Sequence, residues 1–129
     1  MLLQRISDDW TKKVLSYTES LTEDRIDEVL IGFLKDFKEG SLEVKGWPRF
    51  MSPYTVSKAA LNAYTRLLAK KHPSFLINYV CPGFVKTDIN SNTGILSIEE
   101  GAASPIRLPL LSNDGPSCLF FDRSEVSPF

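Results

Sequence analysis

The sequence is poor in metal ligands. It has one histidine, His72, and two cysteines, Cys81 and Cys118, with no metal-ligand spacing among them, which argues against a zinc site. Two cysteines give no disulfide framework either. Both lie in apolar, strand-like runs, so buried free thiols acting as small hydrophobes are expected, with a single disulfide as the alternative. No apolar run reaches the ~20 residues of a membrane-spanning helix, and the start, MLLQRISDDW, lacks the apolar stretch of a signal peptide. The expected location is therefore cytoplasmic. Excess charge is lacking as well: 15 Lys and Arg stand against 16 Asp and Glu. A net charge of −1 leaves no footprint for nucleic acid or an anionic membrane, so neither is an expected partner. The basic cluster Lys70-Lys71-His72 reads as a solvated helix end, where cations suit the macrodipole. Internal repeats and low-complexity tracts are absent too.

What is present is a globular composition in 129 residues, room for one domain. Ser7, followed by Asp8 and Asp9, predicts a capped helix to about Tyr17. Leu21 to Glu39 carries the clearest helical pattern. Ile26, Val29, Leu30, Phe33, Leu34 and Phe37 form one apolar stripe, Thr22 caps it, and Gly40 fits its end. Core packing is the expected role of the stripe. Residues 40–53 read as loop, with Trp47 and Phe50 as anchored apolar residues. Trp47 has a second reading, as part of a substrate pocket.

Ser52 as N-cap and Pro53 at the first helical position open the next helix, which Pro73 ends. Val56, Ala60, Ala63, Tyr64 and Leu67 form its inward face. Phe75 to Cys81 is a short apolar run suited to a buried parallel strand, broken by Pro82-Gly83. Ser97-Ile98-Glu99-Glu100 is a capping box for a further helix, which Pro105 and Pro109 should kink or shorten. After the Gly115-Pro116 turn, Cys118 to Phe121 reads as a second buried strand. Strand, crossover helix and strand make one βαβ unit with a parallel pair.

The chemistry centres on Tyr54-Thr55-Val56-Ser57-Lys58. Residues four apart share a helix face, with Cβ atoms roughly 5–6 Å apart. A phenol is too weak an acid to exchange protons readily at neutral pH, and a fixed cation beside it favours its anion. Such a pair suits proton transfer to or from a substrate oxygen. The bare spacing also fits an ordinary exposed lysine beside a half-buried tyrosine. None of Tyr17, Tyr64 and Tyr79 has a lysine four residues on.

YTVSKAALNAY followed by NYVCPGFVKTDIN resembles the catalytic helix and following strand of the short-chain dehydrogenase/reductase family. RIDEVLIGFLKDFKEG, KGWPRF, TGILSIEEGAASP and CLFFDRSEVSPF resemble its plant carbonyl-reductase branch, so the likeness runs along essentially the whole chain. The resemblance implies an α/β chain, the C-terminal part of a Rossmann-like doubly wound parallel sheet. It would be mostly helical, with about two parallel strands. Residues 1–129 would form one incomplete domain, with a helical insertion at 8–47 and the catalytic helix and last two strands at 52–129. The insertion would cover the surface through which other family members pair, which implies a monomer.

The implied activity is NADP(H)-dependent interconversion of a small-molecule ketone and alcohol. By resemblance, Tyr54 gives its proton to the carbonyl oxygen, and Lys58 favours the phenolate and hydrogen-bonds the nicotinamide ribose. The backbone around Pro82, Gly83 and Val85 borders the nicotinamide, and Thr87 contacts the carboxamide or pyrophosphate. The sequence departs from the family in three places. It has no Gly-x-x-x-Gly-x-Gly, no Asn-Asn-Ala-Gly, and no serine matching the catalytic one; Ser7 and Ser52 do not correspond to it. The expectation is thus a chain lacking the nucleotide-binding half and inactive alone. The alternative is a non-catalytic remnant or an interaction module.

Overall fold

A computed structural model describes residues 3–128. The chain divides into two compact units, the first reaching to Lys71 and the second formed by His72–Pro128.

The first unit holds a 3-10 turn at Leu3–Arg5 and three α-helices: α1 (Asp9–Ser16), α2 (Glu23–Lys38) and α3 (Ser52–Lys71). The cap of α1 is Asp8 rather than Ser7. Its carboxylate accepts the Thr11 N–H at 2.7 Å, a charge-assisted bond that a serine cannot match. Thr22 caps α2 as its position predicts, accepting the Arg25 N–H at 3.2 Å. Beyond α2 the chain turns through Gly40, whose φ of +69° suits a residue without Cβ.

The α2 stripe is only partly buried. Ile26, Val29 and Phe33 are in the core, whereas Leu34 and Phe37 are about half exposed. At that end the loop folds Trp47 back over Phe33, ring centroids 5.2 Å apart and nearly perpendicular. The Trp47 indole N–H donates to the Asp36 carboxylate at 2.8 Å, which anchors both the ring and the loop. Trp47 is thus core. Phe50 has no such anchor and is exposed, against expectation.

Helix α3 starts one residue earlier than its sequence suggests. Ser52 is already helical and buried, and the Met51 carbonyl accepts the Thr55 N–H at 2.9 Å. The buried face of α3 carries Val56, Ala59, Ala60, Ala63 and Leu67. Three alanines let a neighbouring helix approach closely, while Tyr64 points more to solvent than expected. At the far end the Lys71 ammonium donates to the Glu23 carboxylate at 2.5 Å, and that bond raises the Lys71 pKa.

The second unit is a small mixed sheet with one crossover helix. Strand β1 (Tyr79–Cys81) pairs in parallel with β2 (Phe120–Asp122), in the register Tyr79 to Phe120, Val80 to Phe121 and Cys81 to Asp122. Helix α4 (Ile98–Arg107) lies between them in the chain, as the βαβ reading requires. Its capping box is complete: Ser97 N–H donates to Glu100 at 2.7 Å and Glu100 N–H to Ser97 at 3.1 Å. Pro105 sits inside α4, which passes at Leu108–Leu110 into a 3-10 turn containing Pro109.

A third strand, β3 (Glu125–Ser127), pairs antiparallel with β2 across a two-residue turn at Arg123-Ser124. Arg123 adopts φ +56° there without glycine or asparagine to signal it. The cysteines differ from expectation. Both are free, but Cys81 is exposed and Cys118 only half-buried. Strands of three residues are too short to cover their ends, and Cys118 takes φ +63° just before β2.

Candidate functional site

On α3 the inward residues fix the outward ones. Thr55 and Val56 are almost fully buried, as are Ala59 and Ala60 one turn on. Helical spacing then turns Tyr54 and Lys58 away from the core. Tyr54 is 49% exposed, and the Lys58 ammonium stands 5.9 Å from the centroid of its ring. The Ser57 hydroxyl donates to the Tyr54 carbonyl at 2.9 Å, tightening the backbone between the pair. Among the described residues, neither the Tyr54 hydroxyl nor the Lys58 ammonium is engaged in a hydrogen bond or ion pair. A phenol and an ammonium on one face, with both polar ends free, are available to an incoming oxygen or hydroxyl.

The second unit holds the other candidates, Pro82, Gly83, Val85 and Thr87, in the segment leaving the carboxyl end of β1. In open α/β sheets ligands bind beyond that end of a strand. Gly83 has φ +92°, and a Cβ there would stand 2.5 Å from Leu96 Cδ1. No other residue fits without strain and displacement. The segment doubles back on itself. Lys86 N–H donates to the Leu96 carbonyl at 2.9 Å, and the Ile95 and Leu96 N–H groups both reach the Phe84 carbonyl. Gly94 lies against the Val85–Lys86 peptide, where a Cβ would meet Val85 C at 2.2 Å. Gly101 of α4 lies against the Val85 side chain.

Sequence reasoning passed over Asn90. Its Oδ1 accepts the Thr87 N–H at 3.2 Å, and its Nδ2 donates to the Val85 carbonyl at 2.7 Å. The available signal was Thr87-Asp88-Ile89-Asn90, a capping-box spacing with Asn in place of Glu or Gln.

Tyr54 and Lys58 thus belong to the first unit, and Pro82, Gly83, Val85 and Thr87 to the second. Two surface depressions lie elsewhere, one beside Ile31, Leu34 and Lys38 on α2 and one along Asp122–Pro128. Among the described residues no cluster of His, Cys, Asp and Glu is placed to hold a metal ion. No described helix is long and apolar enough to cross a membrane.

Known proteins resemble the chain along nearly all of its length. No family model matches it. The (+)-neomenthol dehydrogenase of Arabidopsis thaliana is 58% identical over 98% of this chain and 43% of its own. The short-chain dehydrogenase/reductase 1 of Saponaria officinalis is 56% identical over 99% of this chain and 42% of its own. Among solved structures, salutaridine reductase from Papaver somniferum superposes with a TM-score of 0.87 at 49% identity, over 93% of this chain and 40% of that one. The chain therefore spans about two-fifths of the length of the curated relatives it matches.

Proposed function

The chain belongs to the short-chain dehydrogenase/reductase family and corresponds to a C-terminal portion of its plant carbonyl-reductase branch, and from that membership we propose that it carries the proton-transfer residues of an NADP(H)-dependent carbonyl reductase. Its fold is accordingly the α/β class, part of a Rossmann-like sheet. The observation that carries the proposal is the Tyr54–Lys58 pair, with the ammonium 5.9 Å from the ring centroid and both polar ends free on an exposed face.

The residues present fit the nicotinamide end of such a cofactor. A hydroxyl and an ammonium one helical turn apart, neither of them hydrogen-bonded among the described residues, suit a ribose hydroxyl. When bound, the nicotinamide supplies the hydride. Tyr54 passes its hydroxyl proton to the substrate carbonyl oxygen, which becomes the alcohol. Lys58 stabilises the phenolate left behind and hydrogen-bonds the ribose. Pro82, Gly83 and Val85 would border the nicotinamide with backbone, and Thr87 would contact the carboxamide or pyrophosphate. The substrate is a small ketone or alcohol, in keeping with relatives named as neomenthol dehydrogenase and salutaridine reductase. The resemblance of the helical insertion to that of the branch carries the expectation of a monomer, and a cytoplasmic location is part of the same proposal.

A chimera tests the reading. This chain replaces the matching segment of salutaridine reductase, and ketone-dependent NADPH oxidation is followed. Tyr54→Phe, which removes only the hydroxyl, should lower kcat by roughly 10²–10⁴-fold with cofactor affinity unchanged. Lys58→Met should lower kcat and weaken cofactor binding together. A Tyr54→Phe chimera turning over as fast as its parent would overturn the assignment.

A further inference from the structure

We propose that Asn90 is the positioning residue of the cofactor segment, its one side-chain amide setting the two peptide groups that present Val85 and Thr87. The inference rests on the proposed function, since it is Val85 and Thr87 that would border the nicotinamide. Asn90 touches neither cofactor nor substrate and acts through its neighbours.

The geometry is specific to an amide. Asn90 Oδ1 faces a donor, the Thr87 N–H at 3.2 Å, and Nδ2 faces an acceptor, the Val85 carbonyl at 2.7 Å. Only a planar group with an acceptor and a donor side by side satisfies both. The two partners flank Lys86, so the amide fixes the peptide planes on either side of that residue. The backbone of Asn90 is held as well. Its N–H donates to the Thr87 carbonyl at 3.2 Å, and its carbonyl accepts the Thr93 N–H at 3.1 Å and the Thr93 hydroxyl at 2.7 Å. The side chain therefore works from a fixed base.

Two glycines make the same segment rigid from its other sides. Gly94 leaves no space behind the Val85–Lys86 peptide, and Gly101 leaves none behind the Val85 side chain. Val85 is thus hemmed in by two close approaches, and among the described residues Asn90 supplies the only side-chain hydrogen bond to its carbonyl. Without that bond the Val85 carbonyl loses its side-chain partner, its peptide is left to the Lys86–Leu96 hydrogen bond and the Gly94 contact, and Thr87 loses the N–H contact that starts its turn.

Asparagine and aspartate have nearly the same shape, and this separates a bonding role from a filling one. Asn90→Asp keeps an acceptor for the Thr87 N–H but sets a carboxylate oxygen against the Val85 carbonyl oxygen. Asn90→Ala loses both bonds. The test uses the chain itself, isotope-labelled, with reduced nicotinamide mononucleotide as the probe. Amide exchange is read first. The Thr87 N–H should exchange roughly 2–10-fold faster in Asn90→Ala, the effect of one typical hydrogen bond, and keep its protection in Asn90→Asp. The mononucleotide is then titrated while the Val85 and Thr87 amide resonances are followed. Both variants should bind about tenfold more weakly than the parent, the aspartate at least as weakly as the alanine. Equal binding by parent and Asn90→Asp overturns the positioning role and leaves the proposed function standing. Unchanged Thr87 protection in Asn90→Ala overturns it also. A parent chain whose resonances do not respond to the probe overturns the cofactor reading itself, and the role of Asn90 falls with it.

Discussion

Arg66 is the sharpest test of how the first unit is held together. It is 7% exposed and the sole charged residue buried to that degree among the described residues. Its guanidinium donates to the Leu15 carbonyl, to the Ser16 carbonyl at 3.0 Å and to the Thr18 hydroxyl at 3.3 Å. These acceptors lie at and just beyond the C-terminal end of α1, where a cation also meets the negative end of the helix dipole. Arg66→Met keeps the apolar stem and removes the head. Ser16 and Thr18 lie where water can replace it, so their loss is small. The Leu15 carbonyl sits deeper, on a fully buried residue, and leaving it unpaired costs about 1–3 kcal/mol. Losing the cation at the helix end adds roughly 0.3–2 kcal/mol. The sum is about 1–5 kcal/mol.

A unit of this size has a total stability of roughly 4–11 kcal/mol. With an m-value of about 1–1.5 kcal/mol/M, the urea midpoint should fall by on the order of 2 M. Far-UV circular dichroism measures that midpoint. Amide exchange at Tyr17, whose N–H closes the last turn of α1 on the Lys13 carbonyl, reports the local effect. A midpoint within about 0.3 M of the parent, with Tyr17 equally protected, would refute the argument, because a buried head lost at so little cost was not supporting α1.

Two glycine substitutions should act in opposite directions. Gly94→Ala places a methyl within 2.4 Å of backbone atoms of Val85 and Lys86; the Lys86–Leu96 hydrogen bond should open, seen as accelerated exchange of the Lys86 amide. Gly32→Ala, inside α2 with nothing within 4 Å of the new methyl, should stabilise the first unit by about 0.5–1 kcal/mol in the same urea assay.

The helices were legible because their signals are local. Thr22 and Gly40 bound α2, and Ser97 with Glu100 opens α4, each by contacts reaching no more than four residues. The parallel pairing of β1 with β2 was legible from chain order alone. The outward placement of Tyr54 and Lys58 followed from helical spacing against a buried alanine face. Tertiary features were harder to see. Strand β3 was missed because its turn, Arg123-Ser124, reaches positive φ without the residues that normally mark it. Phe50 and Trp47 look alike in sequence, and the Phe33 ring together with the Asp36 carboxylate separates them. The role of Gly94 depends on a peptide nine residues earlier in the chain, which no spacing rule addresses.

The two groups of candidate residues are held in place by different means, and this decides how mutants at each should be read. Tyr54 and Lys58 project from the solvent side of a helix whose opposite side does the packing. Changing either one removes chemistry and leaves the core contacts of α3 intact. Val85 and Thr87 have no such division of labour. Their backbone is clamped by Gly94, by the return of the segment at Leu96 and by the Asn90 amide, and the same atoms that would face a cofactor also hold the segment closed. A loss of binding there mixes lost contact with lost shape. Substitutions at Tyr54 and Lys58 can therefore be interpreted from kinetics alone, whereas those in the 82–96 segment require amide exchange beside the binding curve. The near-isosteric Asn90→Asp meets that need, since it keeps the bulk, keeps the Thr87 contact and reverses one hydrogen bond.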